Sequence, residues 1–286
     1  MKVAVIGANG QLGGDIVNSF SLKGYEVKEL THNDIEVENI DSVNRVLKAI
    51  KPQIIINTSA FHNVPECEKN PIKSFEVNSL GPRNLSLISK ELDSILIHTS
   101  TDYVFDGKKN SPYVEEDEAI PLNVYGNTKL SGEKFILGIN EKNYIIRVSG
   151  LYGVNPCRVK GYNFVTLMLK LSKERDELRV VDDERLTPTF TENIANQLVL
   201  MIEKNAEFGL YHITDEESCT WYEFAREIFN ISGIKVKLNK ALPGEFKTEV
   251  NRPMYSVLEN KKLKTQNMNI MKPWKESLKE YISKIS

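Results

Sequence analysis

The stretch Lys2–Gly13, KVAVIGANGQLG, decides the fold. Its apolar start predicts a short buried strand, and its three glycines follow at intervals of three before a helix pattern begins. Gly7 can make the tight turn, Gly10 lets the backbone approach a diphosphate, and Gly13 allows close packing of helix on strand. The helix N-terminus adds N–H donors and a positive dipole end. The stretch therefore predicts a dinucleotide phosphate loop, whose alternative is a glycine-rich turn without a ligand. The loop residues predicted to contact the cofactor are Gly7, Asn9, Gly10, Gln11, Leu12 and Gly13.

Strands and helices alternate through the first half of the chain. Leu12, Ile16 and Phe20 share one face of a helix after the first strand, and a second helix pattern stops before Pro52. A third helix is predicted from about Ile72 to Leu92. The predicted strands are Lys2–Ile6, Glu26–Leu30, Gln53–Asn57, Ser94–Thr99 and Asn143–Val148. Apolar strands that are each followed by a helix predict a parallel sheet covered on both faces, in an α/β doubly wound fold of the Rossmann type.

The second half of the chain is less regular and predicts a smaller lobe. Its predicted helices are Phe164–Ser172, Glu192–Lys204, Trp221–Asn230 and Lys275–Ile285, and its predicted strands are Leu178–Val181 and Leu210–Ile213. We expect a cofactor-binding domain over residues 1–155 and a mainly substrate-binding lobe over 156–286. Segments between about 178 and 213 are expected to return to the main sheet.

Charge and composition exclude several classes of protein. The formal net charge is −2, so no global positive field is present to recruit nucleic acid or a membrane surface. No apolar stretch approaches the length of roughly 20 residues that a membrane span needs. Three widely separated cysteines, Cys67, Cys157 and Cys219, favour reduced thiols in a cytoplasmic protein. The four histidines are equally scattered, so no metal site is predicted.

The end of the second strand bears on the choice of nicotinamide cofactor. An acidic residue there usually holds the ribose 2′-hydroxyl of NAD, but the strand ends with Thr31 and His32, and Glu29 falls inside it. This favours NADPH weakly over NADH. His32 is either a cofactor contact or an ordinary loop histidine, and the sequence leaves both open. Further residues predicted to contact the cofactor are His32, Glu36, Val37, Thr58, Ser59, Ala60, Asn78 and Ser100.

Tyr125 and Lys129 are predicted to form the centre of the chemistry. Residues four apart share one face of a helix, and an ammonium beside a phenol favours the phenolate and lowers its pKa. Such a tyrosine can pass a proton to a carbonyl oxygen as hydride reaches the carbon. The spacing alone is unspecific, but the pair lies between the fourth and fifth strands, at the active end of the predicted sheet.

Hydroxyl groups at the end of the fourth strand would face the same cleft. Ser100 and Thr101 end the run Ile97–Thr101, and either could hydrogen-bond a substrate carbonyl and polarise it. The alternative is that both hydroxyls cap a strand end or a turn.

Four segments together resemble the extended short-chain dehydrogenase/reductases. They are the glycine loop, Asn57–Ala60, the string STDYVFDG at Ser100–Gly107, and Tyr125 with Lys129. Longer strings are similar to the dTDP-4-dehydrorhamnose reductase branch of that family. These strings are Phe61–Glu68, Phe75–Asn78, Ser149–Gly153, Trp221–Ala225 and Arg252–Leu258.

The resemblance implies an oxidoreductase and a role for each matching residue. Tyr125 would be the proton donor, Lys129 would hold the nicotinamide ribose, and Thr101 with Asp102 would position the sugar 4-keto oxygen. The reaction would be hydride transfer from NAD(P)H to C4 of dTDP-6-deoxy-L-lyxo-4-hexulose, giving dTDP-L-rhamnose. The residues implied on the sugar-nucleotide side are Thr101, Asp102, Val104, Tyr125, Gly150, Asn163 and Arg252.

Two departures and two alternatives accompany the resemblance. Members of the branch often carry Trp where this chain has Gly150, and some share Mg²⁺ at a homodimer contact near the positions of Asp15 and Glu192. A metal is nevertheless not predicted, and the homodimer remains an open expectation. The substrate could instead be another nucleotide-linked 4-keto-6-deoxy sugar. The regulatory subunit of methionine adenosyltransferase resembles the same branch, so a cofactor-binding regulatory protein is the alternative from another class.

Overall fold

The computed structural model describes residues 1–155, 161–242, 244–246 and 249–285. Cys157 and the predicted start of the lobe at residue 156 lie outside the described residues. The division of the chain at that point therefore stays a prediction.

A six-stranded parallel sheet forms the centre of the molecule, in the order β2-β1-β3-β4-β5-β10. The strands are β1 (Lys2–Ile6), β2 (Glu26–Leu30), β3 (Ile54–Asn57), β4 (Ile95–Thr101), β5 (Asn143–Val148), β6 (Leu151–Tyr152), β7 (Glu177–Val180), β8 (Arg185–Leu186), β9 (Thr189–Phe190), β10 (Gly209–His212), β11 (Cys219–Thr220) and β12 (Lys237–Lys240). The strand order reverses beside β1, which is where a doubly wound sheet binds its ligand. The α/β doubly wound fold is therefore confirmed.

Helices cover both faces of this sheet. They are α1 (Gln11–Leu22), α2 (Ile40–Ile50), α3 (Val64–Lys69), α4 (Pro71–Phe75), α5 (Gly81–Glu91), α6 (Val124–Ile139), α7 (Phe164–Glu174), α8 (Thr191–Glu203), α9 (Trp221–Ser232), α10 (Lys261–Thr265) and α11 (Trp274–Ile285). Alternate residues of β1 point to opposite sides: Val3 and Val5 pack with α1 and α8, whereas Ala4 and Ile6 pack with α2 and α5. This two-sided burial explains the unbroken apolar run of β1.

The predicted third helix differs from the structure. The segment from Ile72 to Leu92 is divided into α4, a π-helical turn over Glu76–Leu80 and α5. Within the wide turn the Asn78 side chain points inward. Its amide accepts from the backbone N–H of Phe61 and donates to the carbonyl of Phe61, both at 2.9 Å. A periodic pattern cannot reveal this insertion, because the apolar spacing on either side of it stays helical.

The lobe has its own apolar cluster, formed largely by α7, α9 and α11. The segments expected to return to the main sheet divide between the two parts. Gly209–His212 joins the main sheet beside β5, whereas Glu177–Val180 pairs with Lys237–Lys240 in a separate two-stranded sheet. The helix between them, α8, packs on α1 under the main sheet.

Candidate active site

One large cavity, of about 2380 Å³, runs from the glycine loop to the lobe. It opens at the carboxyl ends of β1, β3 and β4, because the residues that follow these strands line it. The predicted site residues that line it are Gly7, Asn9, Gly10, Gln11, Leu12, Gly13, His32, Val37, Thr58, Ser59, Ala60, Ser100, Thr101, Asp102, Tyr125, Lys129, Gly150, Asn163 and Arg252.

The phosphate loop is shaped to admit a dinucleotide. A Cβ on Gly13 would lie 2.1 Å from the carbonyl oxygen of Gly7, so only glycine permits this contact between helix and strand. Gly10 caps α1 without a side-chain hydrogen bond, and the first turn of that helix carries no acidic residue. The N-terminal N–H groups are therefore free of a competing carboxylate at the place where a diphosphate binds such folds.

The far end of the cofactor cleft lacks a free carboxylate at the end of β2. Asp34 accepts hydrogen bonds from the backbone N–H and hydroxyl of Thr31, at 2.8 and 2.7 Å. His32 and Lys73 line the cavity there, and Lys73 donates to Glu38 at 2.7 Å. His32, Lys73 and the carboxylate of Glu38, which Lys73 pairs, line this end of the cleft. This set of side chains is compatible with a 2′-phosphate.

Thr101, Asp102, Tyr125 and Lys129 all line one end of the cavity, which we call the catalytic corner. The Thr101 hydroxyl donates to Asp102 at 3.1 Å and is itself hydrogen-bonded to the side chain of Tyr125. Ser149 donates to the other Asp102 oxygen at 2.8 Å. Burial raises the pKa of Asp102, against the opposing effect of hydrogen bonds from Ser256, Ser149 and Thr101.

Tyr125 lies in the first turn of α6, where its position is determined by the helix cap. The side chain of Asn123 accepts from the backbone N–H of Gly126 at 2.9 Å and donates to the carbonyl of Asn251 at 2.9 Å. Burial raises the pKa of Tyr125 above its usual value. The sequence predicts a lowered value instead, and the difference arises because burial disfavours the phenolate and Asp102 adds to that effect, against the hydrogen bond from Thr101.

Lys129 is buried one turn further along α6. Its Nζ donates to the carbonyl of Thr99 at 2.6 Å and lies 3.2 Å from Nε2 of His98. Burial lowers the pKa of Lys129 to about 8, and Glu133 opposes that change. The other ring nitrogen of His98, Nδ1, lies 3.1 Å from the amide nitrogen of Asn57.

A buried ion pair lies behind the corner. Arg147 donates to both carboxylate oxygens of Glu133, at 3.0 and 2.7 Å. The Ser100 hydroxyl also donates to that carboxylate. Ser100 lines the cavity, but its hydroxyl is committed to the ion pair, whereas the Thr101 hydroxyl is bonded to Asp102 and could turn to a ligand.

The remaining predicted residues lie on the substrate side of the cavity. Gly150 has φ +57°, and a Cβ there would lie 2.8 Å from Leu186, so no tryptophan can occupy this position without moving the backbone. Asn163 caps α7 through Thr166 and donates to Tyr281 at 2.8 Å, so its side chain is already occupied. Arg252 lines the cavity, and its buried Nε has no hydrogen-bond partner among the described residues.

Three predicted residues lie away from this cavity. Glu36 borders a small separate depression, because the chain turns there to enter α2. Asn78 is buried and holds the backbone of Phe61. Val104 packs into an apolar cluster with Phe105, because the short 3-10 turn over Asp102–Val104 directs it inward.

The acidic residues considered for a metal are engaged elsewhere. Asp15 accepts from the Thr191 hydroxyl at 2.5 Å, and Glu192 accepts from Lys284 at 2.5 Å. Within residues 1–155, 161–242, 244–246 and 249–285, no group of three or more His, Cys, Asp or Glu side chains is arranged to hold a metal ion.

Several residues of the site receive no role from the sequence. The ring of Tyr103 meets that of Tyr125 edge-on, with centroids 5.8 Å apart, and the indole of Trp221 donates to Glu184 at 3.1 Å. His98 and Asn57 lie on strands and read as ordinary polar interruptions in the sequence. Glu133 could have been found from the sequence, because it comes four residues after Lys129 and therefore lies on the same face of the helix.

Comparison with known proteins agrees with this geometry. SpsK of Bacillus subtilis, a spore coat polysaccharide biosynthesis protein, is 35% identical over 100% of this chain and 98% of its own. A dTDP-4-dehydrorhamnose reductase of Aggregatibacter actinomycetemcomitans is 33% identical over 97% of each chain. A dTDP-4-keto-6-deoxy-D-glucose reductase of Streptomyces niveus is 32% identical, over 96% of this chain and 94% of its own.

Solved structures match over the whole described fold. A dTDP-4-dehydrorhamnose reductase from Clostridium acetobutylicum is 40% identical with a TM-score of 0.95, covering 100% of this chain and 99% of its own. One from Bacillus anthracis, in complex with NADP, is 32% identical with a TM-score of 0.94 and covers 99% of both chains. The family model described as the RmlD substrate binding domain matches residues 1–286. The chain therefore belongs to the RmlD substrate-binding-domain family.

Proposed function

We propose that this protein reduces the 4-keto group of dTDP-4-dehydro-L-rhamnose to dTDP-L-rhamnose, with NADPH as the preferred cofactor and NADH as the alternative. The observation that carries the proposal is the convergence of Thr101, Tyr125 and Lys129 in the cavity that also contains the glycine loop. The names of the Aggregatibacter and Clostridium relatives support the choice of substrate. The Bacillus anthracis complex supports the choice of cofactor.

The residues present fit such a cofactor. The glycine loop and the uncapped N-terminus of α1 would hold the diphosphate, and His32 with Lys73 would face the adenosine ribose. Lys129 would hold the nicotinamide ribose. The chemistry supplied by the bound cofactor is donation of a hydride from its nicotinamide ring.

The protein's own part in the reaction is to orient the ketone and supply a proton. The Thr101 hydroxyl, which donates to Asp102 in the structure, would turn to donate to the 4-keto oxygen instead and polarise it. Tyr125 would then give its phenolic proton to that oxygen. Because burial raises the pKa of Tyr125, the phenol is in its protonated form at neutral pH, as a proton donor for reduction must be.

The substrate side supports a nucleotide sugar. Arg252 carries a fixed positive charge into the cavity and can hydrogen-bond a diphosphate. Trp221 lines the same side and offers an aromatic surface for a ring. Gly150, Asn163 and the backbone near Asp102 would shape the space around the sugar.

The test is oxidation of NADPH in the presence of dTDP-4-dehydro-L-rhamnose, followed by absorbance and repeated with NADH. Cofactor binding is measured separately by quenching of protein fluorescence. Turnover with a preference for NADPH is the expected result. A chain that binds NADPH tightly yet reduces no 4-keto sugar would instead favour the regulatory alternative.

A second substrate is favoured by one observation. The Streptomyces niveus relative is named for a different sugar, dTDP-4-keto-6-deoxy-D-glucose, at nearly the same identity as the rhamnose enzymes. Both sugars present a 4-keto group on a dTDP carrier, so the catalytic corner would serve either. The same assay with this second sugar decides between them by the ratio of the two kcat/KM values.

Cytoplasmic location and a homodimer complete the proposal. Among the described residues Cys67 and Cys219 are buried free thiols, which suits a reducing compartment. Within that same part of the chain no helix is long and apolar enough to cross a membrane. The homodimer is tested by light scattering on the purified protein.

A further inference from the structure

The orientation of the Asn57 side chain fixes the protons on a buried histidine. Asn57 Oδ1 accepts from the backbone N–H of Ser59 at 3.1 Å and from the Ser59 hydroxyl at 2.6 Å. A backbone N–H can only donate, so the atom facing it must be the amide oxygen. The amide nitrogen therefore faces His98, at 3.1 Å from Nδ1, and donates to it.

This leaves one place for the imidazole proton. A neutral imidazole has one donor nitrogen and one acceptor nitrogen. Since Nδ1 accepts, Nε2 carries the proton, and Nε2 lies 3.2 Å from Nζ of Lys129. His98 is buried, and burial holds its pKa well below the usual value, so the doubly protonated form does not compete.

Lys129 therefore meets a donor where an ammonium group would need an acceptor. An ammonium has three N–H groups and no lone pair, whereas a neutral amine has a lone pair that can accept from Nε2. In the neutral form Nζ keeps its bond to the Thr99 carbonyl, at 2.6 Å, and one further N–H for a ligand in the cavity. The hydrogen-bond geometry thus matches the amine better than the cation.

We propose that His98 is a positioning residue that favours the neutral amine form of Lys129, so that Lys129 takes up and releases a proton near neutral pH. This deepens the proposed reductase function and rests on it. One proton is consumed in each reduction: Tyr125 gives it to the oxygen that becomes the hydroxyl of the product. Lys129 in its ammonium form can then return a proton to Tyr125, and solution restores the proton of Lys129.

Several charged groups surround Lys129. From α6, Glu133 favours the ammonium, but its carboxylate is paired with Arg147 of β5 and bonded by Ser100 of β4. Tyr125 and Asp102 face the same corner, and burial raises the pKa of each. Burial of Lys129 itself acts in the same direction as His98.

The first test uses nitrogen NMR on the free protein carrying isotope-labelled histidine. His98 is assigned by the signals lost in His98→Gln. The expected spectrum shows a protonated Nε2 and an unprotonated Nδ1, whose shifts move in one step close to pH 8, and that step is missing in Lys129→Met. A proton on Nδ1, or no step in the wild-type protein, would overturn the proposal whether or not the protein reduces the sugar.

The second test uses turnover. In His98→Gln a side-chain carbonyl can accept from the ammonium, so the pH midpoint of kcat assigned to Lys129 should rise by about one unit, with KM for the sugar unchanged. His212→Asn is the matched control, because His212 is also a buried histidine but bonds the carbonyl of Tyr113. An unchanged midpoint in His98→Gln, or an equal shift in His212→Asn, would contradict the proposal.

Discussion

The two ends of the cavity are built in different ways. The catalytic corner lies on regular elements, and its Thr101 and Lys129 are 5% and 2% exposed. The opposite side, which we call the lobe wall, consists of Tyr162, Glu184, Trp221, Gly244–Phe246 and Arg252. Most of it comes from connecting segments, and Tyr162 and Phe246 are 42% and 54% exposed.

The difference teaches where precision and adaptability are needed. A proton transfer requires groups held within a few tenths of an ångström, and a parallel sheet with a capped helix provides such support. Recognition of the rest of a substrate can be changed by loop residues without disturbing that support. Two relatives of this chain are named for reductases of different sugars.

The largest expected effect comes from the corner. Tyr125→Phe should lower kcat by roughly 10²–10⁴-fold, because it removes the proton donor. The dissociation constant for NADPH should stay near the wild-type value, since the ring itself remains. Steady-state kinetics and a fluorescence titration measure the two quantities. Full activity in this variant would show that another group donates the proton.

A smaller effect, of a different kind, is expected from the lobe wall. Arg252→Ala should raise KM for the nucleotide sugar by roughly 10–100-fold, the value of a lost hydrogen bond to a charged group, and leave kcat almost unchanged. Arg226→Ala is the matched control, because Arg226 is exposed on α9 away from the cavity. If kcat fell as much as KM rose, the wall would share in catalysis and the contrast with the corner would disappear.

A substitution in the phosphate loop tests whether the rigid part of the cavity extends from the catalytic corner to the cofactor end. In Gly13→Ala the new methyl would collide with the carbonyl of Gly7, so we expect a loss of about 1–3 kcal/mol in the free energy of unfolding together with weaker NADPH binding. The control is Gly138→Ala, because a Cβ there meets no atom within 4 Å. Urea unfolding and the NADPH titration serve as measurements. Wild-type stability in Gly13→Ala would mean that helix and strand can separate at little cost.

The effect that is smallest near neutral pH concerns the sheet behind the corner. Burial, aided by the charge of Arg147, lowers the pKa of His212 to about 3, so the folded chain keeps this imidazole neutral while the unfolded chain protonates it near pH 6.5. Stability is therefore lost as pH falls below about 6.5, by about 1.4 kcal/mol per unit for this group. His212→Asn should lose less on acidification in urea unfolding. Parallel pH dependence of the two proteins would exclude this role.

The sequence predicts those parts of the molecule that follow from local patterns of residues. β1, the phosphate loop and α1 follow from an apolar run and three glycines, and Tyr125 with Lys129 follows from helical spacing and position. It gave no role to His98 and Asn57, because their contact depends on the register between β3 and β4, in which these two residues are direct partners. It placed Val104 in the site, since the turn that directs this side chain inward leaves no mark in the pattern.

The carboxyl of Asp102 has a consequence for how the protein is made. It joins three parts of the chain that are distant in sequence: Thr101 on β4, Ser149 after β5 and Ser256 between α9 and α11. A ribosome releases the first two long before the third. A nascent chain can therefore complete its cofactor-binding sheet while the corner still lacks one of its anchors, and competence to reduce substrate should appear only after Ser256 has been synthesised and docked.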